Sequence, residues 1–162
     1  MKQKQITISF HVFHSADELS AEDAQLLEAA KAALQLSYSP YSEFRVGAAV
    51  LLENGVTVSG ANQENAAYPM CLCAEQVALA AVASQYPNVA VKKMAITVTT
   101  QHADIKSPAA PCGSCRQVIC EKEDRQAGAP IEIILQGETG DIYKLNSGRD
   151  LLPFAFDGGF LG

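Results

Sequence analysis

The chain has no tryptophan in 162 residues, and only 19% of them are charged. Nowhere does an apolar run approach the roughly 18 residues that a membrane-spanning helix needs. Lys2 and Lys4 near the start have no apolar stretch behind them, so no secretory leader is expected. Basic charge is scarce too: 12 Lys and Arg against 18 Asp and Glu leave a net charge of −6. Proteins that grip phosphate backbones usually carry the opposite balance, because their cations release condensed counterions on binding. Single strands are held by basic grooves and stacking aromatics, and an acidic chain without tryptophan offers little of either. Neither a nucleic-acid polymer nor a membrane is therefore an expected partner. Internal repeats, linkers and low-complexity tracts are missing as well. That predicts a single domain over 1–162, with 1–19 an N-terminal extension that contains strand-like alternation. At 48% hydrophobic, the composition suits a folded chain able to bury a core without cross-links.

Cysteine is sparse but clustered. The five are Cys71, Cys73, Cys112, Cys115 and Cys120. An odd count with no leader argues against a disulfide framework and for metal or catalytic chemistry in a cytoplasmic protein.

Residues 6–12 alternate apolar and polar side chains as a half-buried strand does. Ser20, with Asp23 three residues on, resembles a capping box ahead of a helix whose Leu26, Leu27, Ala30, Ala33 and Leu34 share one face. Pro40 ends that helix, since proline disfavours helical geometry in the residue before it. Strand-like runs at 46–52 and 56–61 flank Asn54-Gly55, a strong hairpin signal. Residues 73–84 predict a helix, 94–100 a strand, 101–110 a loop and 112–125 a further helix. Two strands, 131–136 and 141–145, surround a glycine turn, and a helical turn near Leu151 and Leu152 follows. The strand–helix–strand–helix–strand middle implies an α/β fold with a partly parallel sheet and helices on its faces.

Two segments carry chemistry: Cys73-Ala74-Glu75 and Pro111-Cys112-Gly113-Ser114-Cys115. Both cysteine groups fall where a helix is expected to start. There the helix dipole and free backbone amides lower thiol pKa values and favour metal ligation. The two-residue gap between Cys112 and Cys115 lets both sulfurs meet one ion, and Cys73 supplies a third. Three protein ligands leave the fourth position of a catalytic zinc to water, whose pKa the metal lowers toward neutrality. Glu75 can sit beside that water without ligating and shuttle its proton. The pairing is the signature of zinc-dependent deaminases. The competing arrangement is a closed four-cysteine structural site using Cys71 or Cys120, although Cys120 also reads as a buried small hydrophobe.

The resemblance extends further. It rests on Tyr38-Ser39-Pro40-Tyr41-Ser42-Glu43-Phe44, Val46-Gly47-Ala48-Ala49, Gly60-Ala61-Asn62-Gln63-Glu64-Asn65-Ala66-Ala67-Tyr68 and Cys73-Ala74-Glu75. It continues through Pro111-Cys112-Gly113-Ser114-Cys115-Arg116-Gln117 and Leu151-Leu152-Pro153 with Ala155-Phe156. With these motifs in this order, the chain resembles the small homo-oligomeric cytidine deaminases of nucleoside salvage. The resemblance implies a three-layer α/β/α sandwich with a mixed central sheet, a homotetramer, and one zinc ion per subunit. It implies hydrolysis of cytidine and deoxycytidine to the uracil nucleosides plus ammonia. It assigns the ribose hydroxyls to Asn62 and Glu64, and stacking on the pyrimidine to Phe44. It also places Ala74 among the substrate-binding residues. Tyr68 and Phe156 match positions that contribute to a neighbour's pocket.

One position departs from the family pattern: Gln76 stands where the family usually has arginine. A guanidinium there would offset the negative charge of three thiolates, and Arg116 is the nearest substitute. Three other functions compete. A deaminase of another cytosine-bearing small molecule, such as a nucleoside antibiotic or a free base, shares the chemistry, though a ribose-binding pair is wasted on a free base. A non-catalytic zinc module predicts a fourth cysteine ligand. A polynucleotide-editing deaminase calls for a basic, aromatic surface. His11, His14 and His102 match no role in the family.

Overall fold

Runs of apolar and β-branched residues assemble one six-stranded sheet in this computed structural model, which describes residues 1–161. In chain order the strands are β1 (Phe10–Phe13), β2 (Phe44–Leu52), β3 (Thr57–Ala61), β4 (Val91–Thr100), β5 (Glu132–Gln136) and β6 (Ile142–Leu145). Their spatial order is β1-β6-β5-β4-β2-β3. β4 and β5 run parallel, and the other four neighbouring pairs are antiparallel. The helices are α1 (Ala21–Ala33), α2 (Ala74–Gln85) and α3 (Gly113–Arg125). Parallel neighbours need a crossover, and α3 supplies it between β4 and β5.

The period-2 alternation of the strands sorts the core into two faces. Ala48, Val50 and Leu52 of β2, with Met94 and Ile96 of β4, pack against Ala74, Ala78 and Val82 of α2 and Ile119 of α3. Their neighbours Ala49, Leu51 and Ala95 point the other way, onto Leu26, Leu27 and Ala30 of α1. The result is the expected three-layer sandwich with a mixed sheet. Its layers are α1, the sheet, and α2 with α3. Gly55 and Gly60 are among the glycines that geometry requires. Gly55 takes φ +83° in the β2–β3 turn. At Gly60 a Cβ would lie 2.6 Å from the Ala78 nitrogen, so only glycine lets α2 lie directly on β3. That close approach sets where the N-terminus of α2 sits.

Two local expectations are corrected. Residues 6–9 fall outside any strand. β1 instead covers Phe10–Phe13, because β6 provides only four partners, from Ile142 to Leu145. β1 is also largely exposed rather than half-buried. The capping box is half-formed. Ser20 Oγ accepts from the Asp23 N–H at 3.1 Å, but the Asp23 carboxylate does not return the bond. It is buried and accepts from Lys93 Nζ at 2.5 Å and Lys144 Nζ at 2.7 Å, tying the first turn of α1 to β4 and β6. Among the described residues no helix is long and apolar enough to cross a membrane.

Candidate active site

The crossover connections bring the N-termini of α2 and α3 together above the sheet. Cys73 is the N-cap of α2, Cys112 is the N-cap of α3, and Cys115 lies in the first turn of α3. Cys73 Sγ makes no hydrogen bond to its own helix end and is free to face Cys112. Sγ of Cys73 lies 3.9 Å from Sγ of Cys112, which lies 3.6 Å from Sγ of Cys115. Tetrahedral zinc with Zn–S bonds near 2.3 Å separates its sulfurs by about 3.8 Å, so the three thiols fit one such ion.

The fourth-cysteine alternative does not form. Cys71 Sγ accepts from Asn65 N–H at 3.2 Å. Cys120 is fully buried, with its thiol toward the Gly148 carbonyl at 3.8 Å. Among the described residues, the group placed to hold a metal is Cys73, Cys112 and Cys115.

The electrostatics of this cradle call for a cation. Burial pushes the Cys115 thiol up, and the charges of Glu75 and Cys73 add to the effect. Cys73 is likewise raised, chiefly by burial. For Cys112 burial acts in the same direction, but the backbone N–H of Cys115 and neighbouring donors prevail and bring it down. A divalent ion among the three sulfurs reverses the balance, because ligation takes the thiolate form. Glu75, in the first turn of α2, is only 4% exposed, and burial raises its carboxyl above the ordinary range.

A cavity of about 350 Å³ opens over this centre. Cys73, Cys112 and Glu75 line it together with Phe44, Asn62 and Glu64. Residues that the sequence did not single out complete it. Val46, Ile96 and Val98 come from the sheet, and Ala109 and Ala110 from the loop before Cys112. Alternate strand residues on the α2–α3 face could have suggested the first three, but no local signal marks the loop pair. A larger cleft of about 620 Å³, around Arg45, Thr99 and Glu138, contains none of the cysteines or Glu75.

Phe44 is 37% exposed, at the cavity rather than in the core. Asn62 and Glu64 already hold the surrounding loops. Asn62 Oδ1 accepts from Ser37 Oγ at 2.6 Å and Val46 N–H at 2.8 Å, while its Nδ2 donates to the Phe44 carbonyl at 2.9 Å. The second hydrogen of Nδ2 remains for a ligand. Glu64 accepts from Ser42 Oγ and from the Tyr41 and Ser42 N–H groups, and the Ser42 bond leads in holding its carboxyl below the usual range. A carboxylate has lone pairs left beyond these.

Other expected site residues lie elsewhere. Ala74 is fully buried in the packing of α2 on the sheet. Tyr68 is 71% exposed and flanks, with Tyr41 and Ser42, a hollow that adjoins the cavity at Glu64 and Cys71. Phe156 is exposed and stacks on Phe160 at 5.4 Å, while its carbonyl accepts from Gln117. Within one chain neither aromatic lines the cavity. Gln76 bridges the two ligand helices by donating to Ser114 Oγ at 3.0 Å. Arg116 does not take the role of charge partner to the sulfurs. Its guanidinium donates to the carbonyls of Pro111 and Leu151, at 2.8 and 2.9 Å.

Three thiols rather than four, with a buried carboxylate and an open pocket beside them, define a metal-dependent enzyme and not a structural zinc module. The comparisons with known proteins agree. Residues 20–127 match the family model described as the cytidine and deoxycytidylate deaminase zinc-binding region. The cytidine deaminase of Halalkalibacterium halodurans is 40% identical over 131 residues, spanning 81% of this chain and 91% of its own. That of Sporosarcina psychrophila is 38% identical over 132 residues, spanning 82% and 89%. The crystal structure of cytidine deaminase from Burkholderia pseudomallei matches with a TM-score of 0.68 at 41% identity, covering 82% of this chain and 97% of its own. The chain belongs to the cytidine and deoxycytidylate deaminase family.

Proposed function

We propose that this chain hydrolyses free cytidine and deoxycytidine to uridine and deoxyuridine, releasing ammonia, as a step of pyrimidine salvage. The observation that carries the reading is one cavity that joins a buried carboxylate and a three-thiol cradle to a sugar-sized polar rim at Asn62 and Glu64. Cys73, Cys112 and Cys115 hold one zinc ion per subunit. Bound there, zinc supplies Lewis acidity and makes hydroxide available near neutral pH.

The protein side of the reaction falls mainly to Glu75. Its carboxylate accepts the proton of the water that attacks C4. It passes that proton to the ring nitrogen, then takes the proton of the new C4 hydroxyl and delivers it to the amine, so that the C4–N bond breaks, ammonia departs and the C4 oxygen becomes the carbonyl. Burial favours the protonated form of Glu75, which suits a group that must give its proton back. Phe44 stacks on the pyrimidine. The free Nδ2 hydrogen of Asn62 donates to a ribose oxygen and Glu64 accepts from a ribose hydroxyl, so the pair offers one donor and one acceptor to a neutral sugar.

Tyr68 and Phe156 are exposed on the single chain, which supports their reaching the pocket of a neighbour in a homotetramer. The thiol-based metal centre supports a cytoplasmic enzyme, since reducing surroundings preserve free thiols, and the absence of a linker or composition shift supports a single domain over 1–162. The net charge of −6 supports a small nucleoside over a polymer. Ultraviolet absorbance of cytidine incubated with the zinc-loaded protein tests the reading. Conversion to uridine by the wild type and not by Glu75→Ala is the expected result. No conversion by zinc-loaded wild type overturns it.

A further inference from the structure

β1 is an edge strand, bonded to β6 on one side only. Ahead of it, residues 2–9 run outside any regular element and are exposed throughout. Both lie before residue 20, where the match to the family begins. Natural sheet edges are usually blunted by charge, proline or a covering element, because a bare strand edge templates pairing with another chain. This edge has no such protection. From Gln5 to Ala16 there is no lysine, arginine, aspartate, glutamate or proline. Ile6, Ile8, Phe10 and Val12 alternate along it and stay 40–55% exposed, with Phe10 packed on Tyr143 at 4.8 Å.

The charges that bound the stretch have opposite signs. Lys2 and Lys4 lie at its start. At its far end lie Asp17 and Glu18, with Asp141 held against His14 at 3.0 Å. An antiparallel copy of the same strand sets each basic end against the other's acidic end. A two-fold contact of this kind uses the same patch twice and closes on itself.

We propose that this edge is an interface between two copies of the chain, joined by antiparallel pairing of β1 and its arm about Ser9. Centring on Ser9 sets Ile6 opposite Val12 of the second copy and Ile8 opposite Phe10. All four exposed apolar residues then meet on one face, as cross-strand pairs. Lys4 falls opposite His14, beside Asp141. The arm of each copy, unpaired on its own chain, gains the β1 edge of the other as its ladder partner.

The register makes the test specific. Directly opposed residues of an antiparallel pair have Cα atoms about 4.5–5.5 Å apart, inside the range a disulfide spans. The zinc-loaded Ser9→Cys variant, mildly oxidised with diamide, is expected to run mostly as a covalent dimer on a non-reducing gel. Adding Ile8→Lys should abolish that dimer by placing a charge in the apolar stripe, while cytidine turnover stays unchanged. Thr7→Cys should give no more dimer than wild type, because position 7 faces position 11 of the second copy. No dimer with Ser9→Cys, a dimer that survives Ile8→Lys, or an equal yield from Thr7→Cys would each overturn the proposal.

Discussion

Replacing Glu75 by glutamine probes the proton relay with the least change of shape. The amide fills the same buried site in the first turn of α2 but cannot accept and return a proton. Positioned acid–base groups contribute roughly 10²–10⁴ in rate, and each tenfold is about 1.36 kcal/mol, so the loss amounts to about 2.7–5.5 kcal/mol of barrier. The expected result is a kcat lowered by roughly 100- to 10,000-fold. KM should move little, since Phe44, Asn62 and Glu64 are untouched. Metal content should stay at one zinc per chain, because the three sulfurs form the ligand group without Glu75. Burial already opposes the charged form of this carboxyl, so a neutral isostere should not lower the melting temperature. Steady-state ultraviolet assays, metal analysis and calorimetry on one preparation separate these readouts. A kcat within tenfold of wild type would refute the relay, and loss of zinc would show that Glu75 acts as a ligand instead.

Further outcomes follow from the same geometry. Cys112→Ala should lose both zinc and activity, whereas Cys71→Ala should keep its zinc; metal analysis decides, and zinc loss from the second would count against the three-ligand centre. Asn62→Ala removes the proposed sugar contact and three loop bonds, worth about 1–3 kcal/mol where a partner is left unsatisfied, so KM for cytidine should rise roughly 5- to 150-fold, more than kcat falls. Glu123 is 1% exposed and accepts from the Ile131 and Gly148 N–H groups and Ser147 Oγ. Emptying such a network costs about 3–5 kcal/mol, which in a chain of this size lowers Tm by roughly 6–20 °C for Glu123→Ala, while Glu123→Gln should lose far less. Burial works to raise Asp23, but Lys144 and Lys93 prevail and hold it below its ordinary 3.8. Its contribution to stability is therefore complete above that pH and is lost as pH falls through its lower folded value. Asp23→Asn should lower stability at pH 7 and flatten the acid limb of a urea-denaturation series, and an unchanged limb would refute the linkage.

Much of the site was legible because its determinants are local. A cysteine at each expected helix start, a second cysteine one turn into α3 and a glutamate in the first turn of α2 all follow from helix geometry over a few residues. The Asn54-Gly55 turn and the alternation of β2 and β4 are local in the same sense, and the sheet formed where they indicated. Long-range accommodation decided the rest. β1 contracted to Phe10–Phe13 because strand length depends on the partner, and β6 is four residues long. Asp23 left its capping role for two lysines about 70 and 120 residues away, a choice that burial made and spacing cannot reveal.

Residue types and their spacing pointed to the three-cysteine metal group, the candidate proton carrier and the layered fold, because thiol spacing and side-chain periodicity act within one or two turns of chain. The tertiary structure alone decided that Cys71 turns to Asn65 while Cys73 joins the cradle, and that Asn62 keeps one donor free. It also closed the cavity with Ala109 and Ala110. Such outcomes depend on which groups the packed chain holds within 3 or 4 Å of one another, and residue spacing does not reveal that.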